Sequence, residues 1–97
     1  MPTYVVLGKY TDQGGRNIND AVTRLIAVQQ RLQDAGGKML RWHMTLGEYD
    51  LVTIIEVPSD DDVLQLALEV ATVGNLRTTT LRAFTQEQVA AVVSKLT

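Results

Sequence analysis

Cysteine is absent from this 97-residue sequence, histidine occurs once, and the aromatic residues are one tryptophan, one phenylalanine and three tyrosines. Without cysteine there are no disulfides, no thiolate metal ligands and no cysteine nucleophile. A lone histidine, His43, is a weak basis for a first-row metal site, which would have to draw on carboxylates; no metal site and no cofactor are expected. Neither sign of charge dominates: nine Lys and Arg against eleven Asp and Glu leave a net charge of −2 and a pI near 5.2. The chain therefore lacks the basic field on which general nucleic-acid binding rests. No apolar run approaches the roughly 18 residues needed to cross a bilayer. No charged segment with an apolar stretch behind it comes before the first strand pattern, so the expectation is a cytoplasmic protein without a signal peptide. What is present is an ordinary globular composition, 45% hydrophobic and 21% charged, with two prolines. That length holds one core and is read as a single domain over residues 1–97. A chain this short buries only about two-thirds of its unfolded surface, so oligomerisation is a natural way to gain more.

Thr3 to Tyr10 is β-branched and aromatic and stops at Thr11-Asp12-Gln13-Gly14-Gly15, which predicts a strand running into a loop. From Asn17 the period becomes helical, with Ile18, Ala21, Leu25, Val28, Leu32 and Ala35 on one stripe and Arg24 and Arg31 away from it. Gly36-Gly37 ends that helix. Lys38–Thr45 and Tyr49–Val57 follow as two strands joined by a short turn at Leu46-Gly47-Glu48, a spacing that predicts an antiparallel hairpin. Pro58 closes the second of these, and Ser59 caps a helix whose first turn, Asp60-Asp61-Asp62, suits the positive end of the helix dipole. That helix runs to about Val73 and stops at Gly74-Asn75. Leu76–Phe84 is a fourth strand, and Thr85 with Gln88 forms a capping box for a last helix bearing Val89, Val92, Val93 and Leu96. The order β-α-β-β-α-β plus a terminal helix is the ferredoxin-like α+β sandwich, a four-stranded antiparallel sheet with two helices on one face and strand order 4-1-3-2.

A sheet with one wet face alternates apolar and polar residues along its strands. Here the third strand sets Leu51, Ile55 and Val57 on one side and Val52 and Ile54 on the other, and the first sets Val5 and Leu7 opposite Tyr4 and Val6. Both faces want cover, and two crossover helices supply one. The terminal helix is too short to cover the other, so the expectation is a second copy packed sheet to sheet: a homodimer or higher oligomer.

Gly47-Glu48-Tyr49-Asp50 after Thr45-Leu46, Lys9-Tyr10-Thr11 with Gly14, and Gly74-Asn75-Leu76-Arg77-Thr78-Thr79-Thr80 with Arg82-Ala83-Phe84 together resemble the GYD domain family. The resemblance covers essentially the whole chain in three separated blocks; Gly15 departs from it, which bears on the shape of one loop. It implies a dimeric α/β-barrel in which two ferredoxin-like sheets face each other, and implies little about activity.

The residues able to carry chemistry are few. His43 suits a general base or ligand, and equally an exposed or satisfied strand-edge histidine. Tyr49 offers a ring to a ligand or to packing, and Asp50 a carboxylate to a cation or to the turn backbone. Lys9, Arg77 and Arg82 lie on apolar strands that rarely hold a charge without a partner. Arg82 shares a face with Thr78 and Thr80, and Arg77 shares the other with Thr79; either set, with Lys9 on the neighbouring strand, suits a carboxylate or small anion or forms a polar ladder of its own. Asp60-Asp61-Asp62 reads as helix capping. Gly14-Gly15 lacks the spacing of a nucleotide loop. The resulting expectation is a homo-oligomer that binds a small anionic or aromatic molecule through Lys9, His43, Tyr49, Asp50, Thr79 and Arg82. The alternatives are a cofactor-independent enzyme resembling the dimeric α/β-barrel monooxygenases, favoured by Trp42 beside His43, or a structural or regulatory oligomer without a pocket.

Overall fold

The computed structural model describes residues 1–96. Its elements run β1 (Thr3–Tyr10), α1 (Asp12–Arg16), a 3-10 turn (Ile18–Asp20), α2 (Ala21–Asp34), β2 (Lys38–Met44), β3 (Leu51–Glu56), α3 (Asp60–Val73), β4 (Leu76–Ala83) and α4 (Gln86–Val93). The four strands form one antiparallel sheet in the order β2-β3-β1-β4. This is the ferredoxin-like α+β fold read from the element order, with the extra C-terminal helix. Among the described residues no helix is long and apolar enough to cross a membrane.

The register assigns the faces. Tyr4, Val6, Gly8 and Tyr10 of β1 lie beside Leu51, Thr53 and Ile55 of β3 and beside Leu76, Thr78, Thr80 and Arg82 of β4 on the face that α2 and α3 cover. Val5 and Leu7 stand with Val52, Ile54, Thr79 and Leu81 on the face without helices. A bulge shifts the register of β2 between Met39 and Arg41, so that Met39 and Trp42 join the helix side while Arg41 and His43 point to the open one.

The buried cluster is Tyr4, Leu32, Ile55, Val57 and Val63, with Val6, Val28, Met39 and Leu66 packed around it. Val57 follows β3 and keeps its backbone paired by donating to the Pro2 carbonyl at 3.3 Å. Gly74 ends α3 with φ of +85°, a left-handed conformation in which any side chain is strained, so the chain turns into β4 there.

Three local readings change. The segment after β1 is not a loop: Thr11 caps a short helix by accepting from the Gly14 amide at 3.1 Å. β3 begins at Leu51 rather than Tyr49, because the turn is held by its own bonds: Thr45 donates its amide to the Asp50 carbonyl at 2.7 Å and its hydroxyl to the Tyr49 carbonyl at 2.6 Å. Ser59 does precede α3, but its hydroxyl donates to the Asp62 carboxylate at 2.9 Å instead of accepting from the backbone.

The terminal helix carries the capping box as expected, Thr85 and Gln88 bonding each other's backbone amides at 2.8 and 3.1 Å. It stands off the sandwich, and Val89, Val92, Val93 and Leu96 are all exposed. The radius of gyration reflects this at 14.8 Å, against about 12–13 Å for a compact chain of this length. The helix-free sheet face is left uncovered.

Candidate functional site

Residues from all three sequence blocks of the GYD resemblance meet at the end of the sheet where β1 finishes and β4 starts, while Arg82-Ala83-Phe84 lies at the other end of the sheet. Asp50 accepts the Tyr10 amide on its carboxylate at 2.8 Å and gives its own amide to the Gly8 carbonyl at 2.8 Å. Thr11 donates its hydroxyl to the Gly74 carbonyl at 2.6 Å and its amide to the Asn75 carbonyl at 3.1 Å. The Asn75 side-chain oxygen, in a buried residue, accepts from Gln13 at 3.1 Å and from Asn17 at 3.4 Å. Gly14 lies flat on this junction: a Cβ there would sit 1.9 Å from the Asn75 carbonyl oxygen, so no other residue fits without moving backbone. The Asp50 carboxylate thus satisfies a strand-end amide, and Thr11 and Gln13 satisfy the Gly74 and Val73 carbonyls at the end of α3, groups that would otherwise be orphaned.

Beside this junction lies a cavity of about 290 Å³ between the sheet and the helices α2 and α3. Its cause is legible in side-chain size. The walls include Ala21 and Ala27 of α2, Ala67 of α3 and Thr78 and Thr80 of β4. Leu25, Val28, Trp42, Leu51, Val70 and Leu76 supply the apolar surface. The two helices are tied across the gap by a forked ion pair, with Arg31 Nε 3.1 Å and Nη2 3.1 Å from the Glu69 carboxylate. Those hydrogen bonds hold the Glu69 carboxyl below, and the Arg31 guanidinium above, their ordinary ranges.

Arg24 is the charged group on the cavity wall. Its Nη1 donates to the Asn17 carbonyl at 2.8 Å; its Nη2 is buried and has no hydrogen-bond partner. Tyr10 lines the same wall, and burial raises its phenol above the usual tyrosine value, partly offset by the charge of Arg24. The sequence reading set Arg24 and Arg31 off the buried stripe of α2. Both correct to its inner edge, and the signal was available: Arg24 lies three residues after Ala21 and four before Val28, a spacing that shares a helix face. Conversely Ile18, Val22 and Ile26 form a stripe at the same spacing that stays exposed, which removes Ile18 from the buried set.

The six residues singled out from sequence separate into four places. Lys9 and Tyr49 lie together, the ammonium 5.2 Å from the ring centroid, with Lys9 also 3.8 Å from the Glu48 carboxylate; this pair is exposed and so worth little to stability. His43 and Thr79 are exposed on the helix-free face, paired with Val52 and Leu7. Asp50 is bound to backbone at the junction. Arg82 is on the opposite face of β4 from Thr79: it lies over Tyr4 at 5.5 Å and Phe84 at 4.6 Å and gives Nη1 to the Thr3 and Ala83 carbonyls. Lys9 pairs with Arg77, and Arg82 with Tyr4 at the other end of β1, so the strands keep Lys9 and Arg82 from sharing one anion. Trp42 and His43 also face opposite sides, as consecutive residues of a strand do, and the bulge at Leu40 decides that Trp42 is the one on the helix side.

The GYD domain profile matches residues 4–93. The chain is 33% identical over 84 residues to a Thermus thermophilus protein described as a glutamine synthetase and cystathionine beta-lyase binding protein, covering 86% of this chain and 88% of that one. Among solved structures, FFRP-DM1 superposes with a TM-score of 0.62 at 21% identity, over 87% of this chain and all of that one. A hypothetical protein from Pyrococcus horikoshii follows at 0.55 and 20%, over 89% of this chain and 93% of that one. Both share the fold. With the profile match running nearly end to end and residues from its three sequence blocks gathered at one junction, this chain belongs to the GYD domain family.

Proposed function

We propose that this protein is a small binding protein that assembles with itself through its helix-free sheet face and acts by holding another protein. The observation that carries the reading is the composition of that face. Val5, Leu7, Val52, Ile54 and Leu81 stand together across three adjacent strands, and among the described residues no helix packs on them. An apolar patch spanning the centre of a sheet is unusual on a solvated surface and common at an interface. A second copy is the natural occupant, since two such faces are self-complementary about a twofold axis and pack as the sheets of a sandwich do.

Self-association leaves other apolar surface for a different protein. Val22 and Ile26 on α2, Leu64 and Leu68 on α3, and the α4 side chains Val89 and Val92 are all at least half-exposed or nearly so. The Thermus thermophilus relative is named for binding two enzymes, which supports an enzyme as the partner class here. The polar residues do not argue for turnover in the same way: His43, Asp50 and Arg82 stand in three separate places.

Sedimentation of the wild type and of Leu7→Arg tests the first half. The wild type is expected as a dimer or larger at micromolar concentration and the variant as a folded monomer; a wild-type monomer overturns the assembly. Calorimetric titration against glutamine synthetase and cystathionine beta-lyase from the same organism tests the second. Saturable binding to either supports the partner class, and silence with both removes the support it draws from the relative.

A further inference from the structure

We infer that the hollow between the sheet and helices α2 and α3 is a binding site for a small, neutral, apolar molecule of one or two rings. It lies on the helix side of the sheet, where the register puts Trp42, Leu51, Thr53 and Ile55. The proposed self-assembly uses the opposite face, so a second copy seated there leaves the hollow empty.

The space is large for a protein of this size. Interiors are packed to crystal-like density and leave few voids bigger than a water molecule. This one measures about 290 Å³, close to the ~300 Å³ at which small-molecule sites begin. A dry, apolar cavity of about 150 Å³ takes up benzene, and roughly twice that volume admits a second ring. The hollow also has a mouth, since Ala27, Val73 and Thr80 line it and are exposed.

Its wall is apolar, and the polar side chains able to recognise a charge are already engaged. The Thr53 hydroxyl donates to the Arg41 carbonyl at 2.7 Å. The Asn75 side-chain oxygen accepts from Gln13 and Asn17. Arg24 gives Nη1 to the Asn17 carbonyl, and its Nη2 is buried out of reach, so the guanidinium presents no free prong to a ligand. What remains polar on the wall is uncharged: the hydroxyls of Tyr10, Thr78 and Thr80. A charged or sugar-like molecule would give up its water here and find too few partners. A neutral ring loses only unfavourable hydration and gains the dispersion contacts that the facing walls lack.

Trp42 is the only tryptophan and lines the hollow, so a brominated molecule seated there quenches its emission by heavy-atom contact. Bromobenzene and 1-bromonaphthalene serve as the one-ring and two-ring probes, and 4-bromobenzoate as the charged counterpart of the first. Each is titrated into the full chain with calorimetry alongside. We expect saturable quenching and heat with at least one neutral probe, and affinity at least about tenfold weaker for 4-bromobenzoate than for bromobenzene. Ala67→Leu, which extends a side chain into the hollow, should weaken the neutral probe about tenfold or more. Leu7→Arg, on the opposite face of the sheet, should leave it unchanged, so that loss of assembly and loss of the site are told apart. Far-UV circular dichroism confirms that each variant is folded. No saturable response of the wild type to either neutral probe overturns the site, whatever the variants do. Equal affinity for 4-bromobenzoate and bromobenzene overturns its apolar character, and unchanged affinity in folded Ala67→Leu overturns its location.

Discussion

The two ends of the helix–sheet layer are made from the same strands and the same pair of helices, yet one end is filled and the other is hollow. At the filled end Tyr4, Leu32 and Val57 interlock, each with under a tenth of its surface exposed, and Ile55 and Val63 form the border where the same cluster faces the hollow. At the hollow end β1 presents Val6 and Tyr10, β4 presents threonines, and the helices present alanines around Arg24. Close packing and open space are thus placed apart: one end anchors the sheet to its helices, and the other is bordered by backbone-directed hydrogen bonds around Thr11, Asp50 and Asn75.

The contrast is breakable by substitution. The largest effect belongs to Leu32→Ala, which should cost about 2–5 kcal/mol in chemical denaturation, whereas Leu25→Ala at the hollow end should cost about 1 kcal/mol or less. Equal losses would mean that the hollow closes up in solution. Gly14→Ala should follow, at about 1–3 kcal/mol, because its methyl meets the Asn75 carbonyl and forces the junction apart.

A pH effect marks the filled end. Tyr4 is buried and donates to Asp60, and its phenol is raised above the usual value of 10.0, first by burial and then by that bond. A group whose folded value is raised stabilises the fold fully below its unfolded value and ceases to do so as pH climbs through the folded one. Stability should therefore fall above about pH 10. Tyr4→Phe should cost about 1 kcal/mol at neutral pH and blunt the alkaline loss, leaving the share due to Tyr10, raised in the same direction. An unchanged alkaline limb in the variant would remove Tyr4 from that account. The smallest change is expected from Ala67→Leu, under about 1 kcal/mol in either direction, since the added carbons enter empty space; Val57→Leu at the filled end should cost about 1–3 kcal/mol by overpacking.

Much of the fold could be read from local pattern. The strand and helix order, the hairpin, the stop at Gly74 and the capping box at Thr85 and Gln88 all rest on neighbours within about four residues, and short-range rules reach that far. The apolar residues on both sides of β1 and β3 were equally plain. The short helix at Asp12–Arg16 was missed because two adjacent glycines argue against helix, while the contact that selects it, Gly14 on Asn75, is made with a residue distant in sequence. Arg24 reads as lying off the apolar stripe of α2, although its spacing from Ala21 and Val28 places it at the edge of the buried face. Lys9 and Arg82 were grouped on strand adjacency alone; the register separates them by most of the length of β1.

The sequence by itself determined which segments are strands and helices, the antiparallel pairing of β2 with β3, and the presence of apolar residues on both sheet faces. Those follow from periodicity, turn chemistry and capping, all of them local. Only the tertiary structure decided that Trp42 faces the cavity and His43 the open face, because the bulge beside Leu40 resets an alternation that the sequence cannot show. It also decided that Tyr10, Asp50 and Asn75 meet and that a hollow opens beside them. Those residues are brought together by strand order, and the hollow is the space left when small side chains from distant segments face one another.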